Sequence, residues 1–351
     1  MLSSLSSNVV LAKARAKYGK RLKEKDYRNL LDCKSVAEVA AYLKANTDYH
    51  DVLTGINEYD IHRGQLEVLI KQKLFYNLSS FVRYELSVGE QLADYVIARA
   101  EIEEILDALM LMSAGRQEEY SQAAPLYLAK HTKIHMEQFS SIQTYGEFLD
   151  ALGSSVSRRL LAPFEPKPGE PVDVFAVENQ LYSYLFSHVQ EIIDHRVRGK
   201  TKKEVRELFQ GYIDLENYAR IIRMKKRFRA HPEFIEKNLL PFGSLKPKQL
   251  NALIHAETAN QAAAIFRTTS RGKKTANVEY NFVDELAQRI KFISGKHYIH
   301  FSSHPPVVLL SYIFLADTEV HNITTIVEGI RYQVSVDDIK KLLILPTDKA
   351  G

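Results

Sequence analysis

The sequence predicts an all-α protein made of three diverged copies of one helical unit of about 110 residues. Three observations predict it. In Asp214–Arg229, DLENYARIIRMKKRFR, Tyr218, Ile221, Ile222 and the stem of Lys225 fall at i, i+3, i+4 and i+7, one face of a helix. The same stripe returns as Ile323, Ile326, Val327 and Ile330 after Asn322, and as Ile102, Ile105, Leu106 and Leu109 after Glu101, so Glu101, Asn217 and Asn322 stand 116 and 105 residues apart. The short runs beginning at Ala37, Gly146 and Asn260 resemble one another at offsets of 109 and 114 residues. Finally, Glu67, Glu178 and Glu279 each sit in a helix-like run, at offsets of 111 and 101. The landmarks keep their order through all three copies, which chance apolar spacing does not do.

The first unit spans residues 1–122. Val10, Ala14 and Tyr18 at i, i+4 and i+8 make its start the first helix of the fold, although a Ser-rich, acid-free beginning also has the look of a transit peptide. A basic helix-like stretch follows over Lys13–Leu31, then a short helix over Val36–Lys44. Asn46–Asp60 is rich in turn formers and reads as a loop. Gln65–Arg83 is a long helix with Leu66, Leu69, Ile70, Leu74, Leu78 and Phe81 on one face, and Gln91–Ser113 carries the first stripe.

The second unit, 123–242, repeats the order: a short helix at Ile142–Leu152, the proline-rich loop Pro163–Pro171, a long helix at Val177–Arg196 and the stripe at Tyr212–Arg229. The third, 243–351, gives Lys248–Phe266, the loop Arg267–Asn277, a long helix at Val278–Ile293, a buried helix at Val307–Ala316, the stripe at Asn322–Tyr332 and a closing helix at Asp337–Leu345. Runs of alternating period are few, so strands are minor or absent.

Composition bounds the function classes. Charged residues at 26% and hydrophobic ones at 45% are ordinary for a globular chain, while Gly 15 and Pro 11 fall below the usual shares of about 7% and 5%, which permits long helices. A net charge of +4 permits an anionic partner without demanding one. The one cysteine, Cys33, excludes an internal disulfide and fits a reducing compartment. No run reaches the ~18 apolar residues of a membrane span; Pro306–Ala316 is too short and reads as a buried helix.

Motifs for chemistry are incomplete. His188, Glu191 and His195 share a helix face at a spacing that can hold a metal, but no matching ligand set accompanies them, and a wetted helix face is the plainer reading. His297, His300 and His304 are similar, with Pro305 breaking the helix there. Gly199-Lys200-Thr201 resembles the tail of a phosphate-binding loop, yet Asp194 stands where its first glycine belongs and a helix precedes it in place of a strand. No nucleophile elbow or dinucleotide glycine pattern is present. Neither an enzyme nor a cofactor is indicated. Arg223, Lys225, Lys226, Arg227 and Arg229 form the densest positive patch, which reads as a solvated face or a protein contact ahead of a nucleic-acid site, since interleaved aromatics are few.

D-L-E-N-Y-x-x-I-I-R-x-K, containing Asp214, Asn217, Ile221 and Arg223, resembles the D-x-x-N-L-x-x-x-L-R signature of the family of rotary V/A-type ATPase C subunits, whose eukaryotic counterpart is the d subunit. The stretch Glu319-Val-His-Asn322 through Ile326, Gly329 and Arg331, followed by Ser335–Leu342, resembles that family's closing motif, and Ala14-Arg15 with Arg21-Leu22 its opening. The first copy departs, with Ala98 and Glu101 in place of the Asp and Asn. The resemblance spans essentially the whole chain. It implies a funnel of helices, pseudo-threefold about one axis, that caps the proteolipid ring on the cytoplasmic side of the membrane and seats the D and F subunits of the central shaft. It further implies a non-catalytic part of the central stalk that transmits torque during ATP-coupled proton or sodium transport. A helical-repeat scaffold, and a nucleic-acid-binding helical protein using 223–229, are the competing readings.

Overall fold

The structure, a computed structural model, describes residues 2–82, 89–122 and 124–345. Among them every regular element is a helix and there is no strand. The chain opens with α1 (Leu2–Gly19), α2 (Glu24–Asp32), α3 (Val36–Asn46), α4 (His50–Leu53), α5 (Arg63–Val82) and α6 (Gly89–Ser113). It continues through α7 (Tyr145–Ala151), α8 (Val156–Leu161), α9 (Val174–His195), α10 (Gly199–Arg223) and α11 (Pro232–Lys237). It ends with α12 (Pro247–His255), α13 (Ala259–Thr268), α14 (Ser270–Lys274), α15 (Val283–Phe301), α16 (Pro305–Arg331) and α17 (Val336–Leu342).

The same capped start occurs at three helices. Ser35, Thr144 and Thr258 each accept the backbone N–H three residues on, from Glu38, Glu147 and Gln261. In return, each of those side chains takes the backbone N–H of the residue before the cap: Lys34 at 2.7 Å, Gln143 at 2.7 Å and Glu257 at 2.8 Å. At α7 and α13 the N-cap N–H is taken too, which completes the reciprocal S/T-x-x-E/Q box, and at all three the capping fixes where the helix begins.

Several elements differ from the expectation. Lys13–Leu31 is two helices, because the chain turns at Lys20–Lys23 and Asp26 captures the Lys23 N–H at 2.7 Å. Lys248–Phe266 likewise divides into α12 and α13, since Thr258 starts a helix of its own. The loops at 46–60 and 267–277 contain the short helices α4 and α14. Val307–Ala316 and Asn322–Tyr332 are one continuous helix, α16. The polar residues between them do not mark a loop: Thr318 is buried and Asp317 pairs with Arg99 at 2.8 Å. Pro305 opens α16, where its missing N–H costs nothing. α10 starts well before Tyr212, and the basic end of its stripe is a separate π-turn, Met224–Phe228.

The chain gathers into two compact units, the residues up to Leu185 together with those from Ala316 onward, and Phe186–Leu315. In the first, Leu22 and, from α2–α5, Leu30, Val39, Leu43, Leu53, Leu66 and Ile70 pack with Ile323, Ile326, Val327, Ile339 and Leu343 in one apolar core. Thus the beginning and the end of the chain share a core. A second centre in that unit joins Tyr120, Phe139 and Phe148, with ring centroids 5.2 and 6.2 Å apart. In the other unit α10 packs on α12, α13 and α15, and the Tyr218 and Phe266 rings stack at 3.9 Å and 11°.

Candidate functional site

The signature residues lie on the C-terminal halves of α10 and α16, and α10 is buried there nearly all round. From Ile213 to Ile222 on α10, nine of ten positions are buried, Glu216 being half-buried. A charged or amide side chain there needs a partner. Asp214, 1% exposed, accepts the Ser244 N–H at 2.7 Å, the Ser244 hydroxyl at 2.5 Å and the Leu245 N–H at 3.1 Å, with the Arg271 guanidinium at 3.5 Å. Asn217 brackets one residue: its Oδ1 accepts the Leu240 N–H at 2.7 Å and its Nδ2 donates to the Leu240 carbonyl at 2.8 Å. Arg220 donates to the Asn238 carbonyl at 3.1 Å. Gly243 lets the returning chain come this close, since a Cβ there would stand 2.5 Å from Asp214 Oδ1.

α16 repeats the arrangement. Asn322 Oδ1 accepts the Ile344 N–H at 2.9 Å, and Nδ2 donates to the Ile344 carbonyl at 2.8 Å. Glu319 stands where Asp214 stands in α10, and accepts the Leu22 N–H at 2.7 Å and the Tyr49 hydroxyl at 3.0 Å. Burial without a paired cation pushes its carboxyl up to about 7. Leu22 and Leu245, the two backbone donors, each lie two residues before the first helix of a small helical module, α2 and α12. Ile326 is fully buried, as are Ile221 and Val327. Gly329 makes room for Ile339, which a Cβ would meet at 2.4 Å. Arg331 is exposed, its guanidinium 5.4 Å from the Tyr332 ring centre.

In α6 the plan is varied. Glu101 accepts the Thr132 hydroxyl, and Thr132 Oγ1 accepts the Ile134 N–H at 3.1 Å. Glu104 takes the Tyr120 hydroxyl at 2.7 Å, and burial lifts its carboxyl to about 7 despite Lys71. It lines a cavity of about 660 Å³ with Glu67, Lys71, Asp107 and Tyr120. A second cavity, about 410 Å³, lies in the other unit among Tyr212, Arg271, Lys291 and Tyr298. Neither cavity was legible in the sequence. The one signal was Glu104 itself, an acid beside an otherwise apolar stripe.

The basic run divides. Arg223 pairs with Asp284 at 3.1 Å. Lys225 donates to the Ile254 and Ala256 carbonyls, both at 2.6 Å, so it caps the C-terminal end of α12 and is no solvated cation. Lys226, Arg227 and Arg229 are exposed. His188 lies half-exposed, 3.8 Å from Glu191. The buried signature groups Asp214, Asn217 and Asn322, with Glu319, thus each hold at least one backbone atom of distant chain.

The family model for the ATP synthase (C/AC39) subunit matches residues 10–342. The chain belongs to this family. The match takes in both compact units and all three stripe helices of this C/AC39 chain. It is also 26% identical over 300 residues to the A-type ATP synthase C subunit of Methanosarcina acetivorans, covering 81% of this chain and 72% of that protein.

Proposed function

We propose that this C/AC39 chain is a non-catalytic central-stalk part of a V/A-type rotary ATPase, standing on the cytoplasmic side between the proteolipid ring and the D and F subunits of the shaft and carrying torque between them. The observation that carries the reading is the family match over 10–342. The structure supports it in kind. Among the described residues no helix is long and apolar enough to cross a membrane, which suits a part that meets the membrane through a neighbour. Asp214, Asn217, Glu319 and Asn322 are committed to backbone clamps, which stiffen a helical body. A torque-bearing part needs that stiffness.

The repeat reading, with units 1–122, 123–242 and 243–351 arranged as a pseudo-threefold funnel, belongs to the proposal. The three side-chain caps at Ser35, Thr144 and Thr258, and the matched clamps of Asn217 and Asn322, support it. Of the basic run, Lys226, Arg227 and Arg229 are the residues left for a contact, since Arg223 and Lys225 are engaged within the chain. The test is reconstitution of the motor with and without this chain. Without it the catalytic head should still hydrolyse ATP while ion pumping stops, because shaft and ring are no longer joined. ATP hydrolysis by the purified chain, or pumping in its absence, overturns the reading.

A further inference from the structure

The end of α10 has a feature that the family match does not explain. Lys226, Arg227, Phe228 and Arg229 are four consecutive exposed residues, and Phe228 is 69% exposed. Lys226, Arg227 and Phe228 are the last residues of the π-turn and Arg229 is its left-handed cap. Their side chains leave this tip open to solvent. Its base is fixed: Met224 is buried, Lys225 is held by the Ile254 and Ala256 carbonyls, and the Ala230 N–H returns to the Met224 carbonyl at 3.3 Å across left-handed Arg229. Among the described residues Lys226, Arg227 and Arg229 make no ion pair, and no side-chain hydrogen bond of theirs is present. Neither of the two cavities described above is lined by residues 224–229.

We infer that this tip docks on a surface of anionic lipid headgroups, with the three cations on phosphates and Phe228 at the acyl boundary. Two features favour a lipid plane over an acidic protein loop. The three cations are exposed and line neither cavity described above, and a diffuse sheet of negative charge can neutralise all three at once. An unshielded phenylalanine among Lys and Arg is also the composition that settles at a membrane interface. The inference deepens the proposed function by naming the chemistry met at that exposed contact, and rests on it only in placing the chain beside a membrane.

The experiment is flotation of the full chain with vesicles of phosphatidylcholine alone or with about one-third phosphatidylglycerol, at low salt and at about 0.5 M salt. The expected result is binding to the anionic vesicles at low salt, its loss at high salt, and none on the neutral ones. Changing Lys226, Arg227 and Arg229 together to Gln should weaken binding about a hundredfold, at roughly 1 kcal/mol per cation. Phe228→Ser should weaken it while keeping the salt dependence. All four side chains are exposed, so unchanged melting checks that the variants fold. Equal binding by the triple variant, or equal binding to neutral vesicles, overturns the inference. If the wild-type chain ignores anionic vesicles but the triple variant fails to join the reconstituted motor, the tip serves a protein: the lipid inference falls and the proposed function stands. Should the chain bind anionic vesicles yet be dispensable for pumping, the proposed function falls and the lipid contact stands.

Discussion

Replacing Glu319 by Gln tests how the two ends of the chain are held together. Glu319 is partly buried, accepts the Leu22 N–H and the Tyr49 hydroxyl, and lies beside the core shared by α2–α5 and α16. Its carboxyl is raised from 4.5 to about 7, with desolvation the largest cause. A carboxyl with a raised folded pKa favours folding when protonated. Its contribution is complete below the unfolded value of 4.5 and is lost as pH rises through about 7. With those two values, linkage gives a loss of roughly 2–3 kcal/mol between pH 5 and pH 8. Glutamine imitates the protonated acid: its oxygen can accept the Leu22 N–H and its NH2 can donate to the Tyr49 oxygen. The stability difference between variant and wild type should therefore move in favour of Glu319→Gln by roughly 2–3 kcal/mol from pH 5 to pH 8. Urea unfolding followed by circular dichroism at both pH values measures it, and hydrogen exchange at the Leu22 and Ile344 amides localises it. A difference constant within about 0.5 kcal/mol would refute the assignment of a neutral, partly buried Glu319.

Three other outcomes follow from the same geometry. Asn217→Ala and Asn322→Ala should each cost about 2–4 kcal/mol in denaturant titrations, because each strands a buried N–H and C=O of one residue. Ile221→Ala and Ile326→Ala should each cost ~2–5 kcal/mol by the same measurement, both being fully buried; a change under about 0.5 kcal/mol would mean that the stripes are misplaced. Gly329→Ala should lower the melting temperature because its Cβ meets Ile339 Cδ1 and Cγ1 at 2.4 Å, and it should cost less in a chain that already carries Ile339→Ala, where both atoms are gone; an equal cost in that background would exclude that contact as the cause.

The all-helical class and the buried stripes were legible in the sequence, because an apolar face repeats every 3.6 residues whatever it packs against. The small helices α3, α7 and α13 were legible as three related runs for an equally local reason: the S/T-x-x-E/Q capping closes within four residues. Chemistry that depends on distant chain was not. Asp214 and Asn217 read as signature letters, and only the fold shows that they hold Ser244, Leu245 and Leu240, more than twenty residues on. Leu22 is held by Glu319, 297 residues away, and no sequence window contains both. Lys225 and Lys226 are adjacent and identical as letters. Tertiary structure separates them, since the carbonyls of Ile254 and Ala256 lie within reach of one ammonium and the other faces solvent. Local periodicity decided which faces are buried; the path of the returning chain decided which polar groups that burial leaves satisfied, and which of them, like Glu319, it leaves short of a countercharge.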